Sequence, residues 1–165
     1  MIVVSNSSPL ITLGRSSHLG LLPRLFGRIH VAAEVFTEVT VLGAGRPGSQ
    51  AVRGADWIEV HPAITSHLLD STCRQHSLGK GEVATVLLSQ SLSADLAIID
   101  ERNARKFART QSVTVIGCLG IIETAFRHGL ITDLRAGYQD LLNANIRIDR
   151  GLLNASLSSF GLPPL

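Results

Sequence analysis

Two cysteines in 165 residues are too few for a disulfide framework, and they leave a reduced, cytosolic setting as the default. Cys73 and His76 form an isolated C-x-x-H with no second ligand pair, so the spacing of a structural zinc site is missing. Cys118 reads as a small buried packing residue. Charge is scarce as well. Only 17% of residues are Asp, Glu, Lys or Arg and the net charge is +2, too weak for bulk attraction to nucleic acid, so any such binding must rest on a local patch. There is no run of about twenty apolar residues and no basic segment leading into a long apolar one, which predicts no membrane span and an unprocessed cytoplasmic protein. No Gly-rich turn follows the first apolar run, which disfavours a nucleotide-binding fold, and no Ser/His or Cys/His pairing is in view.

What the chain does have is core. With 45% hydrophobic residues, disorder is excluded and one domain over residues 1–160 is expected, with 161–165 as a short tail. Five short apolar runs read as strands: Ile2 to Ser5, Ile29 to Val31, Trp57 to Val60, Leu96 to Ile99 and Val113 to Ile116. They are continuously apolar rather than alternating, as in a parallel sheet buried on both faces. Helical segments are expected at about Arg15 to Leu25, Ala33 to Leu42, Thr65 to Gln75, Gly81 to Leu92 and Glu101 to Arg109. Three more follow, at Leu119 to His128, Thr132 to Leu142 and Asp149 to Ser159, while residues 43–50 read as a loop. Alternating strand and helix is the pattern of a doubly wound α/β layer fold.

In such a sheet, functional groups gather at the carboxyl ends of the strands, where strand order reverses. Asn6 and Asp100 each follow a strand end. If their strands are neighbours, the two side chains start within about 5 Å of each other, one inter-strand spacing. Glu82 lies in the first turn of the helix before the fourth strand, which returns to the same edge, and Glu38 reaches it if its own helix leans over the first strand. These oxygens make a hard pocket suited to Mg2+ or Mn2+, and the chemistry such a cation supports is phosphodiester hydrolysis.

Each residue also has a structural role open to it. Asp100 could cap the helix that starts at Glu101, Glu82 could be an acid favoured by the helix dipole, and Glu34 with Glu38 could be a solvated face. The string Gly79-Lys80-Gly81-Glu82 lacks the Gly-Lys-Ser/Thr ending of a phosphate loop. Arg102, Arg105, Lys106 and Arg109 share one helical face opposite Ala104, Phe107 and Ala108. That stripe is either an ordinary solvated face or a phosphate track, in which case binding is salt-dependent.

Five segments in register, Ser5-Asn6-Ser7-Ser8-Pro9-Leu10-Ile11, Val35-Phe36-Thr37-Glu38-Val39, Leu78-Gly79-Lys80-Gly81-Glu82-Val83-Ala84, Ile98-Ile99-Asp100-Glu101-Arg102 and Gly117-Cys118-Leu119-Gly120, resemble the PIN-domain superfamily, most closely its VapC-like branch. The resemblance implies a three-layer α/β/α sandwich around a five-stranded parallel sheet of order 3-2-1-4-5. It also implies a Mg2+- or Mn2+-dependent ribonuclease, often the toxin of a toxin–antitoxin pair, silenced by a cognate antitoxin-like protein and acting as a homodimer. Carried over by position, Asn6, Glu38, Glu82 and Asp100 become the catalytic and metal-binding residues, with Glu101 or Asn103 as an auxiliary contact. If the basic stripe is a phosphate track, Arg102, Arg105, Lys106 and Arg109, with Ser8, are the expected RNA contacts. Asn6 departs from the family, which usually carries Asp there; an amide oxygen ligates a hard cation but adds no charge. The expected function is therefore a metal-dependent endoribonuclease, with a catalytically silent module that binds RNA or a protein as the alternative.

Overall fold

A computed structural model describes all residues from Met1 to Leu165. In chain order the elements are β1 (Val3–Ser5), α1 (Ser7–Arg15), α2 (Leu21–Phe26), β2 (Ile29–Ala32), α3 (Ala33–Thr37) running into a π-helical turn (Glu38–Leu42), and α4 (Ser49–Arg53). Next come β3 (Ile58–His61), α5 (Ser66–His76), α6 (Lys80–Ser91), β4 (Leu96–Ile98), α7 (Arg102–Thr110) and β5 (Val115–Ile116). The chain closes with α8 (Cys118–Arg127), α9 (Leu134–Asn143) and α10 (Arg150–Ser159). No helix is long and apolar enough to cross a membrane.

The sheet is entirely parallel, as its continuously apolar strands predict, and its order β3-β2-β1-β4-β5 is the one the family resemblance implies. Its continuous apolarity has the expected cause: successive residues of β4 face two different cores. Ile98 joins a large cluster with Val4, Leu10, Val83, Ile121 and Tyr138, whereas Ala97 and Ile99 join a smaller one with Ala104, Phe107 and Ala108 of α7. Both faces of the sheet are thus covered by helices, giving three layers.

The first expected helix is corrected. Instead of one helix from Arg15 to Leu25 there are two, and α1 starts immediately behind β1. Pro9 is the third residue of α1, where its missing N–H has no intrahelical partner to lose, so it starts the helix rather than preventing it. Ser17, at φ 63°, turns the chain out of α1. α1 then packs against the segment preceding α4: a Cβ on Gly14 would stand 2.9 Å from Gly48 Cα, so this crossing needs bare backbone. The expected loop over 43–50 therefore yields to α4 at Ser49.

The expected helix Ala33 to Leu42 is continuous but changes pitch. Gly43 N–H donates to Glu38 O at 2.9 Å, a five-residue span, and Thr40 Oγ1 donates back to Phe36 O at 2.7 Å. Such widened turns recur at functional sites. Val113, expected in the fifth strand, instead closes the turn after α7, its N–H donating to Ala108 O at 2.9 Å. The last five residues are held down: Leu162 and Leu165 rest on the large core, and Leu165 N–H donates to Asn154 Oδ1 at 2.8 Å.

Candidate active site

Strand order reverses on either side of β1, so the crevice lies where β1 ends. Ser5 pairs with Ile98, and the Asn6 N–H donates to Ile98 O at 3.0 Å, which fixes Asn6 at the lip of the sheet. Asn6 is the N-cap of α1, yet its side chain makes no capping bond. Its amide Nδ2 instead donates to Glu101 Oε2 at 3.2 Å, with the residue only 1% exposed. Because the carboxylate accepts and cannot donate, the amide nitrogen must face it, and Oδ1 is left facing the other way.

Oδ1 looks across Gly81, the second residue of α6. A Cβ built on Gly81 would fall 2.6 Å from Glu38 Oε2 and 3.4 Å from Asn6 Oδ1, so two oxygen donors converge over a position kept clear by the missing side chain. The carboxylate of Glu38, which opens the π-helical turn, has no hydrogen-bond or ion-pair partner in the chain. Asn6, Glu38, Glu82 and Glu101 line one cavity of about 730 Å³ together with Glu34, Lys80 and Gly81. Glu82 is also structural, since one of its oxygens accepts the Gly79 N–H at 2.8 Å and caps α6.

Glu34, read from the sequence as a surface acid, belongs to this cavity as well. Its Oε1 accepts the Ile64 N–H at 2.8 Å, while its Oε2 is buried with no partner.

Asp100 is set apart from these residues. Its Oδ1 accepts the Cys118 N–H at 2.8 Å and its Oδ2 the Cys118 thiol at 2.9 Å, so it caps α8 across the β4–β5 edge instead of lining the acidic cavity. The acid that reaches the cavity from the end of β4 is its neighbour, Glu101. Burial pushes the Cys118 thiol well above its usual range, and the adjacent Asp100 charge and hydrogen bond add to the effect. Cys118 is thereby a neutral packing group, as its residue type suggests.

The basic stripe folds as a stripe but not beside the acids. Ala104, Phe107 and Ala108 are buried under α7, while Arg102, Lys106 and Arg109 are exposed and line neither the acidic cavity nor the clefts adjoining it. Arg105 lies in the cleft with Asp100. Cations do flank the acids, but they are ones the sequence does not single out. A groove continuing from Glu38 and Glu101 is lined by Ser8, Arg15 and Arg147, and a second one beside Glu38 by Arg15 and Arg46.

The donor set suits a hard cation. Every group is an oxygen, two converge over Gly81, and the Glu34 Oε2 atom is an orphaned buried acceptor of the kind a hydrated cation satisfies. The carboxylates of the cavity are nonetheless not drawn together as three atoms mutually within 4.8 Å; the group that is comprises His30, Glu59 and His61. Few protein ligands and several retained waters is the coordination Mg2+ prefers.

Compared with known proteins, the family model DUF3368, described as a PIN domain, matches residues 2–162. No curated protein matches the chain.

Proposed function

The chain belongs to the PIN-domain family, whose fold is that of nucleases that use divalent metals, and from that premise we propose that it is a Mg2+- or Mn2+-dependent endoribonuclease of the VapC-like branch. The observation that carries this reading is the convergence of Glu38 Oε2 and Asn6 Oδ1 over the bare Cα of Gly81. A bound divalent cation supplies positive charge for the phosphoryl oxygens and acidifies a water at neutral pH.

The rest is done by side chains of this chain. Glu38 and Asn6 would hold the cation, and Glu101 fixes the orientation of the Asn6 amide through the 3.2 Å hydrogen bond. Glu82, tied by Oε2 to the Gly79 N–H, keeps Oε1 free to take a proton from the attacking water. Arg15, Arg46 and Arg147, with Ser8, line the approach and bind the RNA backbone, so affinity falls with salt. Cytoplasmic action as a toxin, silencing by a cognate antitoxin-like protein and pairing of two chains belong to the same reading by family resemblance.

A second reading rests on Asn6 itself: with an amide where the family usually has an acid, the pocket holds one charge fewer, and the chain is then a silent module that binds RNA or a protein. Cleavage of a mixed RNA pool separates the two. We expect cleavage that requires Mn2+ or Mg2+ and falls about 100-fold or more in Gly81→Ala and Glu38→Gln. Gly81→Ala is the sharper variant, because its methyl displaces only the tip of Glu38 while alanine favours the helix, so its melting temperature should hold or rise. Full activity in Gly81→Ala, or cleavage indifferent to metal, would overturn the proposal; RNA binding without turnover would establish the silent module.

A further inference from the structure

We propose that His30, Glu59 and His61 form a separate transition-metal site, selective for Zn2+ over Mg2+, that joins the edge strand of the sheet to its neighbour. The register places them together. His30 on β2 is paired with Glu59 on β3, and Ala32 with His61. Paired residues project to the same face, as do residues two apart on one strand, so all three side chains share a face at the sheet edge.

The atoms are already gathered. His30 Nδ1 lies 2.9 Å from His61 Nε2, Glu59 Oε1 is 3.6 Å from His61 Nε2, and Glu59 Oε2 is 4.0 Å from His30 Nδ1. These are the ligand-type atoms of the chain that lie mutually within 4.8 Å as a group of three. Two imidazole nitrogens directed at each other share one proton between two lone pairs. With metal–nitrogen bonds of about 2.0–2.1 Å, two such nitrogens stand about 2.9 Å apart in octahedral and about 3.3 Å in tetrahedral geometry. The separation of the nitrogens therefore needs at most a few tenths of an ångström of opening to take a cation, while the two rings, whose centroids stand 5.1 Å apart with the nitrogens between them, turn to aim their lone pairs at it.

The surroundings suit the role. Arg28 Nη1 donates to Glu59 Oε2 at 3.2 Å, which orients the carboxylate and leaves Oε1 beside His61. Side-chain exposures of 16% for His30, 20% for His61 and 42% for Glu59 leave the three groups within reach of an ion from solvent. Two nitrogens and one oxygen are borderline donors, which favour zinc and its neighbours over magnesium, the reverse of the all-oxygen pocket at the end of β1. None of the three residues lines that pocket, so the two sites differ in place as well as in chemistry. β3 has a neighbour on one side only, and a bond through metal would add to its backbone pairing with β2.

The test is calorimetric titration of the metal-stripped full chain with Zn2+, in excess Mg2+ to occupy the acidic pocket, alongside a thermal melt. We expect one zinc per chain and a melting temperature raised by several degrees. His61→Gln and Glu59→Gln should each weaken zinc binding by about tenfold or more. Glu38→Gln should leave it unchanged. Because a substitution on β3 can unsettle the edge strand, the unaltered chain is also titrated with Co2+, expected to develop visible absorption that Zn2+ abolishes. No zinc heat, no cobalt spectrum, equal affinity in His61→Gln, or loss of binding in Glu38→Gln would each overturn the proposal.

Discussion

Replacing the amide of Asn6 by a carboxylate, Asn6→Asp, is the perturbation that asks most of the pocket. Asn6 is buried at 1% exposure and its Nδ2 donates to Glu101 Oε2 at 3.2 Å, so the substitution turns a donor–acceptor pair into two facing acids. Two unit charges about 4 Å apart repel by about 4 kcal/mol at an effective dielectric constant of about 20. A second route limits the cost. The introduced carboxyl can keep a proton and donate it to Glu101 as the amide does, and at pH 7 holding a proton on a group of ordinary pKa about 4 costs about 4 kcal/mol, falling to about 1.4 at pH 5. The metal-free variant should therefore lose about 2–4 kcal/mol at neutral pH.

The sign follows from linkage. The introduced acid binds its proton more tightly folded than unfolded, so the penalty grows as pH rises and fades toward pH 5. Mn2+ should reverse the ranking, because a cation held between Glu38 and residue 6 gains the added negative charge and relieves the repulsion, and mass action then stabilises the variant more than the parent. Urea unfolding at both pH values, with and without Mn2+, measures all four terms. A penalty that is the same at either pH, or a Mn2+ stabilisation equal in the two proteins, would refute the geometry on which the candidate site rests.

Two other substitutions probe the frame around the pocket. Asp100→Asn keeps an acceptor for the Cys118 N–H but loses the charge, so it should lower stability by about 1–2 kcal/mol in urea while the folded protein keeps its RNA cleavage; an inactive but fully stable variant would place Asp100 in the chemistry instead. Tyr138 is buried and its hydroxyl contacts Ser156 Oγ at 2.6 Å and Glu123 Oε1 at 3.1 Å. Burial above all, with the Glu123 charge and hydrogen bond adding to it, pushes its pKa from 10.0 up to about 12. The unfolded phenol ionises first, so stability is lost as pH rises through this window, by about 1.4 kcal/mol at pH 11 and at most about 2.7 beyond it. Tyr138→Phe should flatten that alkaline decline, and an unchanged slope would remove Tyr138 as its cause.

The fold was legible because its signals are local. Continuous apolar runs and the helices between them can be read in windows of a few residues, and most helix ends fall within two residues of expectation. What escaped depends on direction or on closure. Asp100 and Glu101 are consecutive after a strand and so leave it on different sides; Asp100 turns toward β5 and α8, Glu101 toward Asn6, and nothing in Ile98-Ile99-Asp100-Glu101 says which goes where. The period of α7 was read correctly, but where its exposed face points is set by the layer it packs in. Arg15, Arg46 and Arg147 lie far apart in the chain and meet only when α1, the π-helical turn and the segment before α10 close around Glu38. α1 itself went unread, although Pro9 sits in its first turn, where proline is an accepted start.

The way the acids are held indicates how the pocket divides its work. Glu101 is fixed by the Asn6 amide, Glu82 by the Gly79 N–H and Glu34 by the Ile64 N–H, each through one oxygen. Each anchor is a donor that would otherwise need its own acceptor, so the same bonds hold the start of α1, the start of α6 and the segment leading into α5. Glu38 alone has no such bond; it is exposed, and its place is set by the π-helical turn behind it and the empty Cβ position of Gly81 before it. On the proposed reading, three preorganised acids and one free acid make an arrangement that can stay folded without a cation and leaves Glu38 to complete its binding. In that arrangement Asn6 removes the charge that would be hardest to bury in the empty pocket, at the cost of weaker attraction for the ion. Metal affinity would then rest most heavily on Glu38, the one acid whose removal unties nothing else in the fold.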